Sequence, residues 1–495
     1  MPPTSLFSNS SITDTMNLSP VLYVIGLVLT ALAKLMLLPV FYVLLAGETE
    51  IWSFIEAAAI TAFTGITLTL FFRTKEFQLK SRQIFLITNC CWLTLSLFAA
   101  LPLWIKLDIC YVDAFFETIS GVTTTGSTVL TGLDDMDQDI LLWRSILQWI
   151  GGIGFIVTAV AILPFLKVGG MRLFQSESSD WSEKAMPRSG SIAKGVVGIY
   201  CGLTAFCAYL YFLGGMTGFE AINHAMTTLS TGGYSTSDSS MGHFDSYFIF
   251  WVGTVFMTLG GMPFVLFVRC CKGDLACLYK DIQAQAFLIF LALLWIGFSL
   301  WLWLESDYSY WKSLTLVAFN TTSTITTTGY ALGDYTLWGG FSIVMFFFLT
   351  FIGGCSGSTA GGIKIFRFQI CSRLLHIQLK QLVHPRGCFV QTYNGQPINS
   401  DILRSLVGFC FFFALLITAM TLLLSLCGLD PITSLSGAAT AVANVGPGLG
   451  EIIGPAGNFS TLPNNAKWVL SFGMLMGRLE VITVLVLFTP AFWRG

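Results

Sequence analysis

The chain has 495 residues, of which 54% are hydrophobic and only 11% are charged, and its mean hydropathy is +0.74. This composition is typical of an integral membrane protein and excludes a string of water-soluble globular domains. The 25 basic and 27 acidic residues leave a net charge of −2. Without a basic field to attract nucleic acid, nucleic-acid binding is excluded as well.

Ten apolar stretches are long enough to cross a membrane, because a spanning helix needs about 20 residues. They lie at residues 20–46, 53–73, 82–104, 140–166, 193–213, 246–269, 284–304, 338–366, 403–427 and 467–492. Nineteen of the 25 basic residues fall on one side of these spans. Lys and Arg near span ends stay in the cytoplasm, so both termini of this multi-pass chain are predicted to be cytoplasmic.

Three basic residues, Lys34, Arg144 and Arg478, are left inside the predicted spans. Lys34 and Arg144 are open to a structural role or to snorkelling towards the interface. Arg478 lies near the middle of the last span, where a charge needs a partner or a wet cavity. We therefore interpret Arg478 as a functional residue.

Four connections on the predicted outer side share one pattern, a short apolar segment followed by an extended stretch rich in threonine and glycine. Aligned on the central glycine, Gly126, Gly232, Gly329 and Gly446 are separated by 106, 97 and 117 residues. A period this long indicates one supersecondary unit per repeat. A helix of about 12 residues covers about 18 Å and cannot cross a hydrocarbon core of about 30 Å. Each segment is therefore predicted to enter the membrane and return on the same side.

Extended backbone at membrane depth is tolerated only where it is buried in protein or lines an aqueous cavity. Four such loops around one axis predict a ring of carbonyl oxygens that replaces the hydration shell of a cation. Threonine favours extended backbone, while glycine permits positive φ and close approach. The predicted cation-binding residues are Thr124, Thr125, Gly126, Ser230, Thr231, Gly232, Thr327, Thr328, Gly329, Asn444, Val445 and Gly446.

A break follows each of these glycines inside the next predicted span, at Gly151-Gly152, Gly260-Gly261, Gly353-Gly354 and Gly477-Arg478. Each glycine weakens a helix by about 1 kcal/mol, and such pairs mark kinks. The third break is the longest and lies below the predicted ring, where we expect a gate; a glycine-rich seam for helix packing is the alternative. The predicted gate residues are Gly353, Gly354, Ser356, Gly357, Ser358, Thr359, Gly361, Gly362, Lys364 and Arg478.

Five segments carry a specific pattern: TTTGSTVLTGLD at 123–134, IGGCSGSTAGGIKIFR at 352–367, LVHPR at 382–386, VGPGLGE at 445–451 and FGMLMGRLEVITVLVLFTPAFWR at 472–494. Together they resemble the Trk/Ktr/HKT superfamily of potassium-translocating proteins, most closely its bacterial TrkH branch. The resemblance implies an all-α membrane protein with ten transmembrane helices, comprising an N-terminal helix pair and four pseudo-symmetric pore repeats around one pore. The implied boundaries are a cytosolic tail at 1–19, the helix pair at 20–73, repeats at 82–166, 193–269, 284–366 and 403–492, and a cytosolic loop at 367–402.

The resemblance also implies potassium as the transported ion, no bound cofactor, and a location in the bacterial inner membrane. The loop at 353–362 is implied to be an intramembrane gating loop that Arg478 contacts. The implied partners are membrane lipid, a second copy of the chain in a homodimer, and TrkA, a cytosolic nucleotide-binding regulatory subunit. Glycine in all four repeats favours potassium over sodium.

The leading hypothesis is potassium uptake through a selective, gated pore, without enzymatic activity. The alternative is a symporter that couples potassium to a sodium or proton gradient, which needs ionisable residues at the midplane. Glu56 and Glu480 are the candidates, and Glu480 is open to pairing with Arg478 or to acting as a coupling site. An intramembrane serine protease is excluded because the predicted spans contain no histidine to act as its base.

Overall fold

The computed structural model describes residues 16–47, 50–73, 79–161, 186–387, 389, 392–393, 396–398 and 400–494. The described chain is mainly helical, as predicted, and the strands within it are an antiparallel pair, Thr392–Tyr393 and Gln396–Pro397. Three predicted features lie wholly or partly outside these residues: the tail before residue 16, the end of the first repeat at 162–166, and parts of the cytosolic loop at 367–402.

The helices follow one another with short connections. In chain order they are α1 Ser19–Leu35, α2 Leu37–Ala46, α3 Trp52–Phe71, α4 Ser81–Ala99, α5 Leu101–Leu107, α6 Tyr111–Val122, α7 Gln138–Ala161, α8 Met186–Leu213, α9 Gly218–Leu229, α10 Tyr247–Gly260, α11 Phe264–Cys271, α12 Ala276–Lys280, α13 Ile282–Glu305, α14 Tyr310–Ile325, α15 Gly340–Leu349, α16 Ile365–Val383, α17 Ser400–Leu426, α18 Pro431–Ala443, α19 Asn464–Arg478, α20 Val481–Leu485 and α21 Pro490–Arg494. Single 3₁₀ turns lie at Leu133–Asp135, Ser240–His243, Tyr335–Trp338 and Val486–Phe488.

Within the described residues, seven helical stretches are long and apolar enough to cross a membrane, or nine if two bent pairs each count as one span. The bends are 94° between α10 and α11 and 110° between α19 and the segment that begins with α20. The predicted span at 338–366 is not among the nine. Its helix α15 has only ten residues, and the chain then runs without helix through the small and polar residues before α16.

Two of the four predicted breaks coincide with helix ends, at Gly260-Gly261 and Gly477-Arg478, and Gly353-Gly354 lies in the non-helical segment after α15. The one at Gly151-Gly152 is wrong because α7 continues through both glycines. These two glycines allow close packing instead. A methyl group on Gly151 would lie 2.0 Å from the Val122 carbonyl oxygen, and one on Gly152 would lie 2.9 Å from Ser230 Cβ.

The four short helices α6, α9, α14 and α18 have 12, 12, 16 and 13 residues. Three of them begin with a side-chain cap: Thr217 with a capping box, Ser309, and Asp430. Their C-terminal halves are buried. Long helices from neighbouring segments pack against three of them, because α7 contacts α9, α10 contacts α14, and α19 contacts α6. These three short helices are thereby fixed by helices that belong to other parts of the chain.

Candidate functional site

The short helices all end in the same backbone turn. Within two residues of the end of each helix, a residue adopts a left-handed φ: 53° at Thr124, 51° at Thr231, 54° at Thr327 and 56° at Asn444. The next amide donates to the carbonyl five residues earlier, as in a Schellman motif: Thr125 to Ser120 at 2.8 Å, Gly232 to Thr227 at 2.9 Å, Thr328 to Ser323 at 2.8 Å and Val445 to Thr440 at 3.0 Å. A β-branched residue in this region costs about 1–3 kcal/mol, so three strained threonines stand at equivalent places.

A glycine with positive φ lies two residues after each left-handed turn. These glycines are Gly126, Gly233, Gly329 and Gly446, with φ of 89°, 77°, 83° and 108°. A methyl group added to any of these glycines would collide with a carbonyl oxygen of another loop. The distances would be 2.3 Å from Gly126 to Gly232 O, 1.9 Å from Gly233 to Thr328 O, 2.2 Å from Gly329 to Val445 O and 2.8 Å from Gly446 to Thr125 O. Each glycine thus lies against the carbonyl before the glycine of another loop, and the four contacts close into a circle. We call these four glycines and four carbonyls the glycine–carbonyl ring.

The second loop enters this ring one residue later than the sequence alignment predicts. Gly232 is not among the glycines with positive φ, and its hydrogen bond to Thr227 makes it the equivalent of Thr125. Gly233 is the equivalent of Gly126. The predicted alignment on Gly232 is therefore wrong by one residue, because two adjacent glycines do not show which one turns. Ser230 lies correspondingly further from the ring, and its hydroxyl donates to Thr227 O at 3.2 Å.

A cavity of about 300 Å³ adjoins the ring and is lined by Gly126, Gly233 and Gly329, and by Pro447 beside Gly446. Predicted threonines before the ring, Thr124, Thr125, Thr231, Thr327 and Thr328, are all buried. The chain thus brings all four predicted loops together at one place. Polar backbone collected in this way can replace water around a cation.

The segment between α15 and α16 packs against the ends of the short helices. Thr359 Oγ1 donates to Leu229 O at 3.2 Å, and Gly361 N donates to Thr327 Oγ1 at 2.6 Å. A methyl group on Gly361 would lie 2.4 Å from Ala443 O. The segment therefore touches residues that precede the ring, whereas the cavity is lined by residues from the ring onward.

Arg478, the last residue of α19, reaches this segment. Its side chain is buried, and Nη1 donates to Thr359 O at 2.8 Å. The guanidinium carbon lies 4.1 Å from the centre of the Phe155 ring, a cation–π distance. A methyl group on the preceding Gly477 would lie 2.0 Å from Val442 O, so glycine allows α19 to approach α18 this closely.

The remaining predicted gate residues shape the segment itself. Gly353 N donates to Ile363 O at 2.9 Å, and Gly357 O accepts from Phe264 N at 3.1 Å. Ser358 Oγ donates to Cys355 O at 2.6 Å, and Ser356 N donates to Gln283 Oε1 at 3.1 Å. Two positions require glycine for different reasons. A methyl group on Gly354 would lie 2.7 Å from Gly261 O, and Gly362 has a φ of +62°, which side chains rarely allow. Lys364 Nζ donates to Ala360 O.

Glu480 does not pair with Arg478. Its carboxylate accepts from Arg367 Nη2 at 2.9 Å, and both side chains are largely buried. Of the two roles left open for Glu480, pairing with Arg478 is therefore wrong. Arg367 in turn stacks over Phe409, with its guanidinium carbon 3.6 Å from the ring centre.

The sequence analysis missed two polar residues beside the first two loops, Glu117 and Gln148, and left Arg144 open to a structural role or to snorkelling. Arg144 Nε donates to Glu117 Oε1 at 2.8 Å, and the two side chains are 2% and 1% exposed, so Arg144 does not snorkel. Gln148 Nε2 donates to Gly232 O at 2.6 Å. The available signal was the i, i+4 spacing of Arg144 and Gln148 in an apolar helix, with an acid in the preceding short helix.

Comparison with known proteins identifies the family. The family model for TrkH, described as a cation transport protein, matches residues 50–494. The fold and the site thus define a polytopic membrane protein that transports cations, rather than an enzyme. The chain belongs to the TrkH family.

Relatives match along almost their whole length. The Trk system potassium uptake protein TrkI of Halomonas elongata is 49% identical over 98% of this chain and 99% of its own. The Trk system potassium uptake protein TrkH of Escherichia coli is 35% identical over 95% and 98%. The crystal structure of the potassium transporter TrkH from Vibrio parahaemolyticus superposes with a TM-score of 0.90 at 36% identity, covering 97% of this chain and 100% of that one.

Proposed function

We propose that this chain mediates potassium uptake across the bacterial inner membrane through a selective, gated pore. The relatives are named as potassium uptake proteins. The observation that carries the proposal is the glycine–carbonyl ring, in which each positive-φ glycine lies against a carbonyl of another loop. Backbone carbonyls arranged in this way substitute for a hydration shell, and the C-terminal ends of four short helices add partial negative charge.

The selectivity filter, in this proposal, consists of the predicted residues with the second loop in its observed register. The ring carbonyls belong to Thr125, Gly232, Thr328 and Val445. One layer of carbonyls offers fewer binding sites than a filter with several stacked layers. We therefore expect moderate discrimination of potassium from sodium, together with rapid release of the ion.

The finer architecture is part of the same proposal: an N-terminal helix pair followed by four pseudo-symmetric pore repeats at the predicted boundaries. Recurrence of one turn and one glycine per repeat supports it. The eighth of the ten proposed spans, 338–366, is then a broken one. Cytoplasmic placement of both termini is testable in a variant whose 13 native cysteines are replaced. Single cysteines introduced into it near residues 16 and 490 should react with an impermeant maleimide only in inside-out vesicles.

The gate we propose is the segment at 353–362, fastened by Arg478. Contacts to Leu229 and Thr327 support this, since they join the segment to the residues just before the ring. Arg478 places a cationic group beside the proposed path, where it repels cations while its hydrogen bond to Thr359 O holds the segment in place. Opening then requires that this hydrogen bond breaks.

The symporter alternative needs a midplane carboxylate that is free to bind a proton or sodium. Glu480 is engaged by Arg367 at 2.9 Å, which favours a structural role and supports the pore. Flux measurements on proteoliposomes containing this chain alone separate the two functions. A pore gives potassium flux that reverses at the potassium equilibrium potential. A reversal potential that follows the sodium or proton gradient would establish the symporter instead.

Homodimerisation and binding of TrkA belong to the proposal through the family resemblance. Helix α16 supports a cytosolic docking surface for TrkA, because Arg373 and Lys380 lie along it and are not buried. Size measurement of the purified chain in detergent, with and without TrkA, tests both partners. A monomeric mass that is unchanged by TrkA would refute them.

A further inference from the structure

Two side chains of α7 reach out of the first repeat and hold the second filter loop. Arg144 Nη1 donates to Ser235 O at 3.0 Å. Gln148, one turn further along, donates from Nε2 to Gly232 O at 2.6 Å and accepts from Tyr234 N through Oε1 at 3.0 Å. Both side chains are buried. We call Arg144 and Gln148 the α7 clamp; it grips the four residues that contain the turning glycine, Gly233.

Glu117 fixes the clamp from α6, the short helix that precedes the first filter loop. Its carboxylate accepts from Arg144 Nε at 2.8 Å and from Val129 N at 2.9 Å. Tyr234 closes the network, because its hydroxyl donates to Glu117 O at 2.6 Å and its ring lies 4.1 Å from the Arg144 guanidinium carbon. The buried charges therefore neutralise each other, and the two loops are bonded to one another through α7.

The side-chain hydrogen bond from the clamp reaches only one of the four ring carbonyls, that of Gly232, among the described residues. Gly151, Gly260 and Gly477 occupy equivalent places, since each lies against the carbonyl of Val122, Leu229 or Val442 at the same position of a short helix. Three residues before each of these glycines stand Gln148, Met257 and Met474. A methionine side chain has no N–H to donate. Among the described residues, the ring carbonyls of Thr125, Thr328 and Val445 accept no side-chain hydrogen bond.

We propose that Gln148 is a positioning residue for selectivity, which acts through the Gly232 carbonyl. A carbonyl that accepts a hydrogen bond of 2.6 Å shares its lone pairs with the amide and offers a weaker field to a cation. The same bond stops this oxygen from moving inward to meet a smaller ion. The ring thus has three carbonyls without side-chain hydrogen bonds and one restrained carbonyl, and the restraint disfavours sodium. This inference rests on the proposed function of the ring as a filter.

The test compares two variants of Gln148 in proteoliposomes, using reversal potentials in mixed potassium and sodium. Gln148→Met installs the residue of the second and fourth repeats and removes both hydrogen bonds. Gln148→Glu keeps the size and the acceptor for Tyr234 N, and its carboxylate, at a pH where it is ionised, has no donor for Gly232 O. We expect both variants to lower the potassium-to-sodium permeability ratio at least threefold. Met257→Leu, a volume-conserving change at the equivalent position, should leave the ratio unchanged.

The outcomes separate this inference from the proposed function. A wild-type ratio in Gln148→Glu would overturn it, because the lost donor would then have no effect on selectivity. This variant also decides the matter if Gln148→Met does not fold. A fall of equal size in Met257→Leu would show that any packing change at this depth lowers the ratio, and would overturn it too. If the wild-type chain itself shows no potassium selectivity, the proposed function fails first.

Discussion

Substitution of Gly126 by serine tests the glycine–carbonyl ring most directly. A Cβ at this position would lie 2.3 Å from Gly232 O, whereas ordinary van der Waals contact begins near 3.4 Å. The first and second loops must therefore separate by about 1 Å, since the obstacle is backbone and cannot rotate away. One of four ring contacts is lost. We expect the potassium-to-sodium permeability ratio to fall at least fivefold, which corresponds to about 1 kcal/mol.

The matched control is Gly132→Ser in the same loop. Gly132 has a φ of +71°, similar to the +89° of Gly126, but a Cβ there would meet no atom within 4 Å. The two variants share the backbone strain of a side chain at positive φ, about 1–2 kcal/mol, and differ in the contact with the ring. Reversal potentials of both variants, measured in mixed potassium and sodium, give the ratios. An unchanged ratio in Gly126→Ser, or an equal fall in Gly132→Ser, would refute the reasoning.

Three further predictions concern the gate, the coupling alternative and helix capping. Arg478→Ala should raise the initial rate of rubidium uptake at least twofold, because it removes both the hydrogen bond to Thr359 O and the cation beside the path; a wild-type rate would sink the proposed gate. Glu480→Gln should leave the reversal potential at the potassium equilibrium potential, because the carboxylate is paired with Arg367; proton-driven uptake in the wild type that is lost in this variant would contradict the pore. Asp430→Ala should lower the free energy of unfolding in detergent by about 1 kcal/mol at pH 7, because Asp430 caps α18. Hydrogen bonds from Thr433 hold the pKa of Asp430 below its usual range. Its stabilisation is therefore present above the pKa of the unfolded chain and is lost as the pH falls through the folded pKa. The penalty of Asp430→Ala should shrink on acidification, whereas Asp430→Asn, which caps without titrating, should cost little at pH 7; a penalty independent of pH would contradict this account.

Local chemistry was sufficient to predict the long apolar helices other than the one at 338–366, and the short helices between them. The short helix before Thr124 and the glycine-rich segment at 353–362 were both readable from length and residue type alone. The sequence also pointed to Arg478, because a charge inside an apolar stretch needs a partner. Gly151-Gly152 was misread as a kink, since a glycine pair that allows close packing has the same composition as one that bends a helix.

Contacts between distant repeats were beyond such analysis. Gly232 and Gly233 are indistinguishable by type, and the choice between them depends on a carbonyl of the third loop, at Thr328. The Arg367 partner of Glu480 lies 113 residues away, so proximity in sequence to Arg478 did not identify the partner. Glu117 and Gln148 were overlooked for a similar reason, because their structural role depends on the hydrogen bonds that each of them makes to a loop.

The sequence by itself determined that this is a multi-pass membrane protein with four short helices followed by threonine- and glycine-rich loops. Hydrophobic length and residue conformational preferences are properties of each segment, so they can be read locally. Only the tertiary structure decided which glycine turns in the second loop, which carboxylate pairs with which arginine, and which carbonyl Gln148 engages. These are contacts between segments of different repeats, and their geometry arises only when the helices pack together.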